Sequence, residues 1–330
     1  MRKIRIAQIG TSKYSHGNSI FETLIKLNDC FEIAGYAMPE GEKEKFPENM
    51  SLFSNYKEMT VDEIMNDKSI EAVSIETEEI YLTKYALEAA KNKKHIHMEK
   101  PGGCDLGEFE KLIEAVRKNK LVFHTGYMYR YNPVISELIR EAKSGEIGDI
   151  ISIEADMSCF HTDEAKKWLK TFKGGMMFFL GCHLIDIILR IQGKPEKIIP
   201  FNTSTGINEI DSEDFGMVVF KYKNGVSFAK TSASKRGGYA RRNIIVTGTK
   251  KTVEICPTEM FSGNGMQYTE YIECTGEDWA AVGERKRSEE YDRYESMMKS
   301  YAEMVRGEKE NPYSYDYELE LYKTVLKCCK

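Results

Sequence analysis

Three short stretches carry residue types and spacings suited to chemistry. The first is HIHMEKPGG, residues 95–103. A strand-like run ends in an acid–base pair, Glu99–Lys100, and Pro101 then steers Lys100 away from helical backbone. A lysine displayed at such a strand end can hydrogen-bond a substrate hydroxyl, or act as acid or base once its pKa is lowered. A salt bridge between Glu99 and Lys100 at the sheet rim fits the same residues. The second stretch is GGMMFFLGCHLID, residues 174–186. Gly174, Gly175 and Gly181 permit close backbone approach, and His183 and Asp186 are three apart, hence on one helix face. Asp186 can then orient the imidazole for proton transfer, although a core histidine satisfied by its partner has the same spacing.

The third stretch is GTSKYSHG, residues 10–17, directly after the apolar run IRIAQI. A strand feeding a helix leaves free N–H groups and a positive dipole end, which suits a pyrophosphate. A regular G-x-G-x-x-G would place glycines at 12 and 15, where this chain has Ser12 and Ser15. Gly10 supports the tight turn, and the Ser12 hydroxyl can donate to a phosphate. Gly10, Thr11, Ser12, Tyr14, Ser15 and His16 are therefore the candidate cofactor contacts, with a plain strand–turn–helix as the competing reading. An acid at the end of the second strand usually holds the adenosine ribose. Here Met38 takes that place and Glu40 follows, with no arginine nearby for a 2′-phosphate, so NAD is favoured over NADP.

Other classes recede. The formal net charge is -5 and the pI about 5.9, which does not draw a polyanion, so no nucleic-acid partner is expected. Residues 176–188 form the longest apolar candidate for a membrane span, but His183 and Asp186 interrupt it. The N-terminal apolar run is too short for a secretory leader. The 8 cysteines are scattered without a C-x-x-C, as expected of a reducing cytoplasm. No zinc-type spacing is present, and His95 and His97 share one face of a strand, so no metal is expected.

These residues need elements to position them. Strand patterns at 3–10, 31–38, 70–77, 94–100 and 120–128 alternate with helical patterns at 18–28, 54–67 (in part), 82–93 and 105–119. That order implies a doubly wound parallel sheet, whose ligand edge lies at the carboxyl ends: Gly10, Met38, Thr77 and Lys100. After Arg130 the texture changes. A helix over 131–148 precedes strand patterns at 149–158, 214–234, 242–256 and 266–273, with KNG (223–225) as a hairpin turn and a long polar helix near 285–307. A second domain with a largely antiparallel sheet follows, with its boundary between 123 and 130.

The variant loop, EKP after a later strand, GYMYRYNP (126–133), GEIG (145–148) and LGCHLID (180–186) together resemble the Gfo/Idh/MocA family of NAD(P)-dependent oxidoreductases. The resemblance runs from residue 3 to about 255, and more loosely beyond. It implies an α/β chain: a Rossmann domain over 1–125, then an α/β domain over 126–330 built on a large, mostly antiparallel open sheet. It also implies hydride transfer between NAD and a hydroxyl-bearing carbon of a sugar or cyclitol, and homodimers or homotetramers formed through the open sheet. On this resemblance Lys100 and His183 are the catalytic residues. Glu99, Lys100, Thr77 and Arg130 border the cofactor, and Tyr129, Lys100 and His183 face the substrate, where Phe179 would add an apolar wall; Trp168 reads as ordinary packing or as a further substrate-side aromatic. The chain departs from the family pattern at Ser12, Ser15 and Met38, at Leu82 where a histidine is common, and at Phe179 where an aspartate is common. Those departures leave open a related NAD-dependent epimerisation or elimination, or a relative without catalysis. Contacts to the substrate would come from residues 155–175 and 230–242, where SASKRGGYARR is basic enough for a carboxylate or uronic acid, although a charged loop of this kind is usually a solvated face.

Overall fold

The computed structural model describes residues 2–330, which divide into two compact units. The first runs to Tyr127 and regains the chain at Tyr294–Tyr322. The second is Met128–Arg293 with Lys323–Lys330. The return of 294–322 to the first unit is a feature that the reading of one cut near 125 does not contain.

The first unit is a five-stranded, wholly parallel sheet: β1 (Ile4–Ile9), β2 (Phe31–Ala37), β3 (Ala72–Ile75), β4 (His95–Met98) and β5 (Phe123–Thr125), in the order β2-β1-β3-β4-β5. Its strands are apolar because both faces are covered; all four residues of β3 are buried. The connecting helices are α1 (Gly17–Lys26), α2 (Glu42–Lys45), α3 (Val61–Asn66), α4 (Leu82–Lys91) and α5 (Leu106–Asn119). Local chemistry sets their starts. Thr60 and Glu63 form a reciprocal capping box at α3, and Asp105 accepts from Glu108 N at 2.8 Å to cap α5. The reversal of strand order beside β1 places the switch point, and hence the ligand crevice, at the carboxyl ends of β1 and β3.

The second unit opens with α6 (Pro133–Ser144), capped by Asn132, whose side chain accepts from Val134 N and Ile135 N. Then come β6 (Ile150–Asp156), α7 (Asp163–Trp168), a π-helical turn over Met177–Gly181 and α8 (Cys182–Gln192). Strands β7 (Lys197–Thr203), β8 (Phe215–Tyr222), β9 (Gly225–Ser232), β10 (Asn243–Gly248) and β11 (Thr252–Ile255) follow. A two-stranded ribbon β12 (Met260–Phe261) and β13 (Gln267–Tyr268) precedes β14 (Glu270–Cys274) and β15 (Glu284–Arg287). Eight strands make one sheet in the order β15-β14-β11-β10-β6-β9-β8-β7, antiparallel throughout except for the β6–β9 pair. The hairpin expected at 223–225 joins β8 to β9, with Tyr222 opposite Gly225. Residues 284–287 are a strand paired with β14, so the polar helix begins only at Glu295, as α9 (Glu295–Arg306), before α10 (Tyr315–Cys328). Charged ERKR suits an exposed sheet edge.

One face of the large sheet is core: Gly216, Val218 and Phe220 of β8 and Ser227, Ala229 and Thr231 of β9 are buried. On the alternate positions Met217 pairs with Phe201, and Val219 with Ile199 and Phe228. Phe201 is 56% and Val226 51% exposed on that uncovered side. No helix of the described residues is long and apolar enough to cross a membrane.

Candidate active site

In the first unit the loop after β1 is built against the end of β3. Gly10 has φ +88, and a Cβ there would lie 2.6 Å from Thr77 Cγ2, so glycine is required. Ser12 N donates to Glu76 O at 3.0 Å. Ser15 Oγ donates to the carbonyls of Ser12 and Glu76 (3.0 and 3.3 Å) and accepts from Gly17 N at 3.1 Å, at the threshold of α1. Thr11 Oγ1 donates to Asn18 (2.6 Å), and Asn49 donates to Thr11 O (2.9 Å). The Tyr14 ring has the Lys13 ammonium 5.8 Å from its centroid, and His16 Nδ1 is 2.8 Å from the Tyr294 hydroxyl. Gly10, Thr11, Ser12, Ser15 and Thr77 are thus brought together.

Past β2, Met38 is half-buried, and Glu40 (φ +59) accepts from Lys84 Nζ and the Tyr85 hydroxyl, both at 2.6 Å. The acid that reaches the loop is Glu42. Its Oε2 accepts from Thr11 N at 2.8 Å and its Oε1 from Glu78 N at 3.1 Å. Burial pushes this carboxyl up to about 7, against the downward pull of those two N–H donors. The Ser12 hydroxyl, buried and without a hydrogen-bond partner beside the start of a ten-residue helix, fits a phosphate, whereas the amides of Thr11 and Ser12 are already taken by Glu42 and Glu76.

At the end of β4, Lys100 is 2% and Glu99 1% exposed, with Nζ 3.6 Å from Oε1. Lys100 is the cation set among buried acids. Burial and the Glu99 charge push Glu76 well above the usual carboxyl range, against Ser74 Oγ donating at 2.9 Å and the Lys100 charge. Burial pushes Glu79 up to about 8, again with Lys100 pulling down. His97, 3.5 Å from Glu76, falls to about 3 by burial and is neutral; its Nδ1 lies 2.7 Å from His124 Nδ1.

In the second unit the π-helical turn carries Phe179 and leads straight into His183 on α8; such turns re-aim side chains at functional positions. His183 is 1% exposed, and its ring meets Tyr129 edge-to-face at 5.1 Å. Asp186, on the same helix, receives three hydrogen bonds of 2.8–3.2 Å from Arg130. Phe179 meets Trp168 edge-on at 5.0 Å and His161 at 6.0 Å. Gly175 has φ +41 and runs against the Glu213 carbonyl, so the close approach here is to the chain's own backbone. The Tyr129 hydroxyl donates to Glu259 at 2.5 Å, a carboxylate that also accepts from Arg293 (2.6 Å) and Arg242 (3.4 Å). Burial and the Glu259 charge push Tyr129 up to about 12, so it remains a neutral donor.

Two models of one family match this chain: the oxidoreductase family with an NAD-binding Rossmann fold over residues 4–127, and the GFO/IDH/MocA C-terminal domain over 135–254. The chain belongs to the Gfo/Idh/MocA family. Among relatives of this family, the myo-inositol 2-dehydrogenase of Thermotoga maritima is 24% identical over 75% of this chain and 73% of its own. The trans-1,2-dihydrobenzene-1,2-diol dehydrogenase of Danio rerio is also 24% identical, over 77% and 76%. A crystal structure described as a putative NADPH-dependent oxidoreductase from Desulfitobacterium hafniense shares the fold, with TM-score 0.82 at 17% identity over 99% of this chain and 94% of its own.

As a Gfo/Idh/MocA member, the chain sets further side chains beside its candidate residues that spacing alone does not reveal: in the first unit Glu42 on the loop and Glu76 and Glu79 near Lys100, and in the second unit the Arg242–Glu259–Arg293 group at Tyr129. Within each unit these groups come from segments distant in sequence, which only the fold of that unit brings together. The nearest sequence signal is the concentration of acids just after β2 and β3 (residues 40–44 and 76–79).

Proposed function

We propose that the chain is an NAD-dependent oxidoreductase that moves hydride to or from the hydroxyl-bearing carbon of a sugar, cyclitol or related polyol. The observation that carries this is Lys100, buried at the carboxyl end of β4 in a sheet of the NAD-binding family. When bound, the nicotinamide supplies the hydride acceptor or donor. Lys100 Nζ donates to the substrate oxygen and offsets the negative charge that grows there. His183 takes the hydroxyl proton at an imidazole nitrogen during oxidation and returns it during reduction. Phe179 and Trp168 give the second unit an apolar wall for a sugar face. Ser12 Oγ, beside the start of α1, would donate to a phosphate, and Thr77 and Glu99 border that place.

NAD is favoured over NADP because the cations that follow β2, Lys43 and Lys45, are paired with Glu58 and Glu78 rather than free for a 2′-phosphate. A titration followed by nucleotide fluorescence should give a Kd for NAD about tenfold or more below that for NADP. Binding of neither nucleotide would sink the enzyme reading.

The half-covered apolar rows of Ile199, Phe201, Met217, Val219 and Phe228 support a homo-oligomer closed through the sheet face. Phe201→Glu should convert the native assembly to monomers in light scattering while leaving the far-UV spectrum unchanged. An assembly of unchanged mass in the variant would exclude this face.

A further inference from the structure

We infer that the second unit takes a sugar or polyol bearing an anionic group, held between Lys166, His161 and Arg242; the inference rests on the polyol-oxidoreductase reading above. The topology assembles this place. Strands β6 and β9 are parallel neighbours, so the segments that follow them leave from one end of the sheet. They are laced together there: His161 N donates to Ala233 O at 2.8 Å, and Lys235 N to Cys159 O at 3.0 Å.

The charges at this end do not balance. Asp156 is answered by both Lys230 (3.1 Å) and Lys235 (2.9 Å). Glu259 is shared by Arg242 and Arg293. Lys166, only 3% exposed, has no carboxylate in salt-bridge range among the described residues, and its ammonium lies 5.9 Å from the centroid of the Phe160 ring. Arg242, 6% exposed, keeps a buried Nε with no acceptor, and the His161 Nε2 and Tyr239 hydroxyl are buried without partners. Burial, with the Arg242 and Lys166 charges adding to it, pushes the His161 imidazole below its usual range. Buried donors and cations left without acceptors are costly, and a ligand anion would answer them. The place adjoins the chemistry: Arg242 donates to the Tyr129 hydroxyl at 3.2 Å, Tyr129 touches His183, and His161 continues the Phe179–Trp168 wall.

Calorimetry on the full chain should compare D-glucuronate, D-gluconate and D-glucose 6-phosphate with neutral D-glucose and sorbitol, at low and high salt. At least one acid should bind about tenfold or more tightly than its neutral counterpart, with the advantage shrinking in salt. The carboxylate and phosphate arms tell which anion is read. Lys166→Met, which keeps the buried stem, should abolish the preference and leave neutral-ligand affinity unchanged, and Lys166→Arg should restore it. Equal binding of acid and neutral ligands, no binding of any acid, or a preference intact in Lys166→Met would overturn the inference. An acid preference in binding without NAD-linked turnover would instead count against the oxidoreductase reading alone, and turnover of neutral polyols without that preference against the anion site alone.

Discussion

Lys100→Met is expected to lower turnover by about 10²-fold or more, and to make stability fall more steeply with pH. The first effect follows from the role of Nζ at the substrate oxygen. The second follows from its neighbours, because the Lys100 charge pulls both Glu76 and Glu79 downward against burial. Without it their native pKa values rise further. At pH 5 both carboxyls are protonated in the native state with or without Lys100, and the variant should lose little. At pH 8, where Glu79 begins to ionise in the wild type, the variant's additional loss through that group is about 0.4 kcal/mol, and it grows above pH 8. His183→Ala should match the loss in turnover, but its change in melting temperature should not depend on pH in this way. Steady-state kinetics and thermal melts of both variants at pH 5 and 8 provide the check. Unchanged turnover in Lys100→Met would leave Lys100 and Glu99 as a structural ion pair only.

The sheet of the first unit is legible in the sequence because parallel strands covered on both faces read as apolar runs, as IRIAQI and AVSI do. Strand β7 is not, because Pro200 within KIIPFNT argues against a strand, and it is tolerated only because β7 is the last strand of its sheet. The helical reading of 285–287 fails for a related reason: a charged edge strand has no apolar period to betray it. Among the candidate site residues, the placement of Lys100 is legible from a strand followed by Pro101, and that of His183 from its helical run. Glu42 is not, because its reach to Thr11 depends on two successive left-handed residues, Glu40 (φ +59) and Gly41 (φ +71), which fold the chain back over the loop. Pairs such as Tyr129–Glu259, separated by 130 positions, are set by sheet register, and nothing local to either residue announces them.

The chain should be most stable on the acid side of neutrality and lose stability steadily from pH 5 to 8. A carboxyl whose pKa is raised on folding keeps its proton in the native state while the unfolded chain has released it, so stability falls with pH between the two values. For Glu79 that window runs from the ordinary 4.5 to about 8, and for Glu42 from 4.5 to about 7. Glu76 shifts in the same direction. Each group contributes roughly 1.4 kcal/mol per pH unit within its window, so Glu79 alone is worth on the order of 3–5 kcal/mol across it. Below pH 4 the slope reverses. Asp156 sits below its usual range because, against burial, it accepts from Ser158, Lys235 and Lys230, and that stability is lost as it takes a proton. Urea midpoints measured from pH 4 to 9 should therefore peak near pH 5. Glu79→Gln should flatten the decline between pH 5 and 8, because an amide fills the same space without titrating. A wild-type midpoint that rises from pH 5 to 8 would mean that these carboxyls are ionised in the native chain, with Lys100 and water compensating them.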